Sequence, residues 1–130
     1  MKITTFNPQI ISKNGENIRK LFEELGFEIR HDRKEIGSLD FEGLRLKDEN
    51  GSYLDIIKAQ EELPLEHDLT AIRMNVDDYE KAYELLKAHG FENFYGDHFV
   101  DSSSAKSAMM ISPGGLMINL VYHKKHDGEK

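Results

Sequence analysis

The stretch GGLMINLVY, residues 114–122, is an apolar run typical of a strand, interrupted by one amide, Asn119. An earlier stretch, NGSYLDIIK at residues 50–58, has the same form and is interrupted by one carboxylate, Asp55. When the sequence is aligned with itself so that Gly51 matches Gly115, Asp55 matches Asn119. The chain therefore contains an internal repeat, and that repeat predicts its architecture.

The same offset aligns two charged, amphipathic segments, GENIRKLFEELGFE at residues 15–28 and YEKAYELLKAHGFE at residues 79–92. Their apolar residues recur at the spacing of a helix that packs on one side. These residues are Ile18, Leu21, Phe22 and Leu25 in the first segment and Ala82, Leu85 and Leu86 in the second. Gly26 and Gly90 follow, where a left-handed helix cap is least costly. We expect a duplicated module with one helix in each half.

Strand candidates precede each helix, at residues 2–11 and 68–76. Further alternating segments lie between each helix and the last strand, so that each module reads βαβββ. In the first half the apolar alternation changes parity at Gly43, which predicts a β-bulge. In the second half a connection rich in Gly, Asp and Ser predicts a longer, mobile loop.

The length of 130 residues is typical of one domain. We expect a single domain over residues 1–126, with module one at about 1–62, module two at about 67–125 and a charged tail at 127–130. The chain has no cysteine, which excludes disulfides and thiol chemistry and favours a reducing compartment. The predicted location is therefore cytoplasmic.

The net charge of −7 and the lack of a basic cluster argue against nucleic acid as a partner. No run of about 18 apolar residues is present to span a membrane. A small organic molecule is the partner that remains to be considered.

Side-chain alternation in the last strand of each module separates two faces of the sheet. Leu54 and Ile56 alternate onto the sheet face that packs against the helix, whereas Asp55 and Asn119 point to the opposite face. An unpaired buried amide costs about 1–3 kcal/mol and a carboxylate more, so these groups need partners or water. We therefore expect a cavity on the face without the helix. The candidate ligand-pocket residues are Asn7, Gln9, Asp55, Arg73, Asn75 and Asn119. The alternative is a structural network, for example with Arg73 paired to Asp55.

The segment NFYGDHFVDSSS, residues 93–104, carries aromatic residues and one histidine that could close over a bound molecule. The candidate lid residues are Phe94, Tyr95, His98 and Phe99. The alternative is that these aromatic side chains fill core space. The sequence has no nucleophile elbow, P-loop or dinucleotide fingerprint, so the catalytic residues are unknown, with Asp55 as the only candidate base.

Two segments, LTAIRMNVDDYEKAYELLKAHGFE at residues 69–92 and ISPGGLMINLV at residues 111–121, resemble the vicinal oxygen chelate superfamily. This superfamily includes glyoxalase I, extradiol dioxygenases, methylmalonyl-CoA epimerases and the fosfomycin and bleomycin resistance proteins. The resemblance implies an α+β fold. Two βαβββ modules would form a curved, eight-stranded mixed sheet around a cavity, frequently in a homodimer.

In the metal-dependent members, a histidine from the first strand and a glutamate from the last strand of each module hold the metal. The resemblance places these positions at Asn7, Ala71, Asp55 and Asn119 here. One carboxylate and two amides are a poor ligand set for nickel, zinc or iron. We therefore predict a member that lacks the usual metal ligands, with no metal and no cofactor.

These observations favour a metal-free protein that binds a small organic molecule of unknown identity, similar to the bleomycin resistance branch. One alternative is an enzyme of the lyase, isomerase or dioxygenase type, with a non-standard metal set or with Asp55 as base. Another is a dimeric structural or regulatory module whose cavity is vestigial. The acidic balance of the chain favours a cationic ligand, whereas Arg73 favours an anionic one.

Overall fold

The computed structural model describes residues 1–33, 41–59, 66–94, 96, 100–101 and 105–124. Its elements are β1 (Ile3–Ser12), α1 (Gly15–Glu24), β2 (Glu28–Arg33), β3 (Phe41–Lys47), β4 (Tyr53–Ala59), β5 (Leu69–Val76), α2 (Tyr79–Ala88), β6 (Glu92–Asn93), β7 (Val100–Asp101), β8 (Ala105–Ile111) and β9 (Met117–His123). The chain divides into two compact units. The first unit is Asn7–Ala71, and the second comprises Met1–Phe6 and the chain from Ile72 onward.

The internal repeat fixes the element boundaries. The pairs α1 and α2, β3 and β8, and β4 and β9 each begin and end at positions that differ by the offset between Gly51 and Gly115. The strand pairing repeats as well, because Gln9 lies beside Asp55 in the parallel β1–β4 pair and Arg73 lies beside Asn119 in the parallel β5–β9 pair. The predicted duplication of a βαβββ module is confirmed.

The first unit is a mixed sheet in the order β2-β3-β4-β1, with α1 on one face. The apolar side chains that pack between α1 and the sheet are Leu46, Leu54, Ile56, Ile18 and Phe22. Burying such side chains supplies about 1.5–3 kcal/mol each. Leu21 and Leu25 were expected in the same stripe, but this was wrong, because they are 51% and 63% exposed.

The predicted bulge at Gly43 is also wrong. Strand β3 pairs with β4 without interruption, and Gly43 lies beside Ile57 in a regular ladder. The irregularity lies in the neighbouring strand β2, between Ile29 and His31. The extra residue of this sheet is therefore accommodated in β2.

The second unit repeats this plan with the strand order β5-β9-β8, and β6 and β7 both pair with β8. The buried side chains between α2 and the sheet include Met74, Val76, Ala82, Ala108, Met110, Ile118 and Leu120. Leu85, at the position equivalent to Leu21, is 51% exposed, so its expected place in the apolar stripe is wrong as well. The connection expected to be a long loop lies largely outside the described residues.

Two local contacts position the start of α2. The Asp78 carboxylate caps the helix by accepting a hydrogen bond from the Lys81 backbone N–H at 3.1 Å, as acidic residues before a first turn commonly do. The neighbouring Asp77 carboxylate accepts one from the Lys2 backbone N–H at 2.7 Å. This backbone hydrogen bond lowers the pKa of Asp77 below its ordinary value, because it favours the charged form.

Each of the two helices is ten residues long. No helix among the described residues is long and apolar enough to cross a membrane.

The two glycines that follow the helices provide a matched test of the repeat. Gly26 and Gly90 have φ angles of 110° and 91°, which L side chains rarely adopt. We expect Gly26→Ala to lower the free energy of unfolding by about 1–2 kcal/mol through backbone strain alone. Gly90→Ala should cost more, because a Cβ there would lie 3.3 Å from Pro113 Cγ, whereas nothing lies within 4 Å at Gly26. Urea denaturation measures both, and equal or stabilising effects would contradict this account.

Candidate functional site

The candidate site lies on the face of the first unit's sheet opposite α1. We call this the polar face. It includes Asn7, Gln9, Arg45, Lys47, Tyr53 and Asp55, together with Glu28 at its edge and the buried Ile11 and Ile57. The strand pairing places Gln9, Asp55 and Arg45 in one row across β1, β4 and β3. Lys47 and Tyr53 form the adjacent row. The predicted separation of the two sheet faces is thus confirmed in this unit.

Three of the six predicted pocket residues meet on the polar face. Asn7, Gln9 and Asp55 are 7%, 2% and 3% exposed, which is unusual for polar side chains. The Asn7 Nδ2 group donates hydrogen bonds to Asp55 Oδ2 and to the Pro8 carbonyl oxygen, both at 2.9 Å. The buried amide and the buried carboxylate therefore satisfy each other, as the cost of burial requires.

Arg45 completes this network, and sequence reasoning missed it. Its Nη2 group donates a hydrogen bond to Asn7 Oδ1 at 2.7 Å, and its Nε lies 3.5 Å from Asp55 Oδ1. Asn7 therefore contacts both the cation and the anion. The signal was present in the register of the β3–β4 hairpin, since pairing Lys47 with Tyr53 brings Arg45 opposite Asp55.

Tyr53 and two cations form the exposed rim of the polar face. The Arg45 Cζ atom lies 4.3 Å from the centroid of the Tyr53 ring, and the Lys47 Nζ atom lies 5.3 Å from it. Such contacts contribute about 0.5–1 kcal/mol at exposed sites. Tyr53 is 36% exposed, so side-chain accessibility rises from the buried Asp55 toward this rim.

The other three predicted pocket residues lie in the second unit, on the sheet face opposite α2. Arg73 lies beside Asn119 in the β5–β9 pair, and its Nε donates a hydrogen bond to Asn75 Oδ1 at 3.1 Å. Arg73 Nη2 also lies 3.5 Å from His123 Nε2. Asn75 is 6% exposed, so this unit too buries an amide beside a guanidinium. The pairing of Arg73 with Asp55 stays a prediction.

Of the four candidate lid residues, the structure describes Phe94. It is 40% exposed, and its backbone N–H donates a hydrogen bond to the Met109 carbonyl oxygen at 2.7 Å. Tyr95, His98 and Phe99 lie outside the described residues. Closure of this segment over a ligand stays a prediction.

The residues at the implied metal positions do not fit a metal of the nickel, zinc or iron type. Asp55 offers the one carboxylate, and it already accepts a hydrogen bond from Asn7 and faces the Arg45 guanidinium. A neighbouring cation opposes the binding of a divalent ion. Ala71 has no donor atom, and Asn119 offers an amide. No group of three His, Asp or Glu side chains in the described ranges could hold a metal ion.

No protein-family model and no curated protein matches the sequence, but solved structures share its fold. A glyoxalase/bleomycin resistance protein/dioxygenase superfamily member from Vibrio splendidus 12B01 is similar with a TM-score of 0.59 and 18% identity, covering 93% of this chain and 99% of that chain. Methylmalonyl-CoA epimerase from Mycobacterium tuberculosis is similar with a TM-score of 0.67 and 14% identity, covering 95% of this chain and 90% of that chain.

A glyoxalase I variant from Zea mays is similar with a TM-score of 0.63 and 18% identity, covering 95% of this chain and 44% of that chain. The chain therefore has the glyoxalase/bleomycin resistance protein/dioxygenase fold. The predicted α+β class and the resemblance to the vicinal oxygen chelate superfamily are confirmed at the level of the fold.

The ion pair between the partly exposed Arg45 and the buried Asp55 predicts unequal effects of removing either partner. Arg45→Met leaves the Asp55 carboxylate, whose side chain is 4% exposed, without this cation. We therefore expect a loss of about 1–3 kcal/mol in the free energy of unfolding. Asp55→Asn should cost less, because the amide keeps an acceptor and the 25% exposed Arg45 can reach water.

Urea denaturation of both variants measures this difference. Lys58→Met is the matched control, because Lys58 is an exposed residue of β4 on the sheet face that carries α1. We expect this control to change the free energy of unfolding by no more than about 0.5 kcal/mol. A greater loss for Asp55→Asn than for Arg45→Met would contradict the account.

Proposed function

We propose that the protein binds a small organic molecule on the polar face of its first unit, without a metal ion. The observation that carries this proposal is the network of Asn7, Asp55 and Arg45, in which the Arg45 guanidinium stacks on the exposed ring of Tyr53. Binding sites commonly combine a few fixed polar groups with an aromatic or apolar surface. The polar face has both features, and its side chains are held by one another.

The chemistry of the side chains supports binding without a metal. The one carboxylate at the implied ligand positions already faces a guanidinium at 3.5 Å. The protein therefore offers hydrogen bonds and charge to a ligand, and no step through a metal is derived from these residues.

The solved structures that share the fold support a small-molecule ligand. They include methylmalonyl-CoA epimerases, and one from Streptomyces coelicolor was solved in complex with 2-nitronate-propionyl-CoA. A fold does not fix a function, so the ligand of those enzymes is not carried over to this chain.

A second candidate function is an enzyme with Asp55 as general base. The observation that favours it is a carboxylate 3% exposed on the polar face. Its oxygens already contact Asn7 and Arg45, however, so a substrate proton would compete with these groups. Binding is therefore the better-supported proposal. A structural or regulatory module with a vestigial site is the third possibility.

Two measurements on the unmodified protein test this proposal. Elemental analysis after purification without added metal or chelator should give less than stoichiometric nickel, zinc, manganese and iron. A thermal-shift screen of small organic molecules, run with and without a chelator, should give at least one ligand whose stabilisation survives chelation. A ligand at about 100 times its Kd stabilises by about 2.7 kcal/mol, which raises Tm by several degrees.

The ligand found should lose its effect on Tyr53→Ala and keep it on Lys58→Gln, with folding of both variants checked by circular dichroism. Stoichiometric metal that is required for binding would contradict the proposal. A screen that finds no ligand would favour the structural module instead.

We also propose that the protein is a cytoplasmic homodimer. The absence of cysteine supports a reducing compartment.

Exposed apolar side chains supply surface for a second copy of the chain in the proposed dimer. Phe6, for example, is 60% exposed. Light scattering should then give twice the chain mass of 15.0 kDa. The mass of a single chain across micromolar concentrations would refute the dimer.

A further inference from the structure

The charges of the polar face are distributed unevenly between its base and its rim. One negative charge, on Asp55, is 3% exposed, and a second, on Glu28, is exposed on β2 opposite Lys47. The positive charges, on Arg45 and Lys47, lie beside Tyr53, and the Arg45 side chain is 25% exposed. Two partly exposed cations therefore flank Tyr53 without forming an ion pair with Glu28, although the whole chain carries a net charge of −7.

The Arg45 guanidinium has few acceptors. Within the described residues it donates a single hydrogen bond, to Asn7. Its buried Nε has no hydrogen-bond acceptor in that part of the chain, since Asp55 Oδ1 lies 3.5 Å away. That buried atom is out of a ligand's reach, but the Arg45 side chain is 25% exposed, so an acceptor from a ligand can add a hydrogen bond to the other guanidinium nitrogens.

Lys47 has an equally incomplete set of partners. It contacts the Tyr53 ring and pairs with no carboxylate among the described residues. Lys106 in the second unit shows the contrast. Its Nζ atom lies 4.8 Å from the centroid of the Tyr79 ring, but it also forms an ion pair with Glu80 at 2.8 Å. The cation over Tyr79 is thus neutralised by an ion pair, whereas of the two cations at Tyr53 Arg45 faces a carboxylate and Lys47 has no ion pair among the described residues.

We propose that Arg45, Lys47 and Tyr53 form an oxyanion subsite, so that the ligand of the polar face is an organic anion. A guanidinium presents planar, paired donors that match a carboxylate or a phosphate, and Lys47 adds a second positive charge. The exposed surface of Tyr53 suits the apolar or aromatic body of the same molecule. This inference rests on the proposed function, and it favours an anion over the cation suggested by the overall acidity.

Four probes of similar shape and different charge test the subsite. They are benzoate, phenyl phosphate, benzamide and benzylamine, each titrated into the full chain and followed by 1H–15N NMR, including the Arg45 Nε–H signal. We expect benzoate or phenyl phosphate to shift this signal, whereas the neutral and cationic probes leave it unchanged. The stronger of the two anions identifies the ligand as a carboxylate or a phosphate.

Lys47→Gln is the variant of choice, because it leaves the Arg45–Asp55 pair in place. It should weaken binding of the anion about tenfold, as expected for the loss of one charged contact. Lys58→Gln also removes one positive charge, but Lys58 lies on the opposite face of the sheet, in β4. This control should leave the affinity for the anion unchanged. Binding of the anion should also weaken with added salt.

Three results would each overturn this inference. They are equal affinities for benzamide and benzoate, an unchanged affinity for the anion in Lys47→Gln, and no binding of either anion. The proposed function fails separately. If the broad screen yields a neutral or cationic ligand whose binding is lost in Tyr53→Ala, the polar face is a binding site and only the oxyanion subsite is refuted. If neither the screen nor the four probes bind, both proposals are refuted.

Discussion

The burial of the Asp55 carboxylate in a β-sheet is the constraint around which the first unit is organised. An ionised carboxylate is expensive to remove from water unless hydrogen bonds and an opposite charge replace its hydration. Asn7 supplies a hydrogen bond from β1, and Arg45 supplies the charge from β3. Neighbouring strands on both sides therefore provide partners, which ties their register to a polar interaction as well as to the apolar packing under α1.

The two units show how a duplicated module can diverge while its backbone plan is kept. In the first unit the row across the sheet is Gln9, Asp55 and Arg45, and at the same offset in the second unit it is Arg73, Asn119 and Met109. Each row contains one arginine beside an acid or amide, but the arginine stands on a different strand. The first unit thereby gains an ion pair with a buried carboxylate, whereas the second holds its guanidinium beside Asn75 and His123.

Much of the fold can be predicted from short sequence patterns. Glycines at helix ends, alternation in the last strands and the constant offset of the internal repeat predicted the helices and the two faces of each sheet. Arg45 and Tyr53 were missed because their importance arises from cross-strand neighbours, which alternation alone does not reveal. The exposure of Leu21 and Leu25 was missed for a related reason, since a helical stripe can be wider than the sheet surface that it contacts.

The double variant Arg45→Met/Asp55→Asn tests the central claim most directly, because it removes the buried charge and its partner together. If the carboxylate is held by the guanidinium, urea denaturation should show the double variant to be more stable than Arg45→Met alone. The coupling free energy between the two positions should be about 1–3 kcal/mol. A double variant that loses the sum of the two single losses would contradict the claim that this pair organises the site.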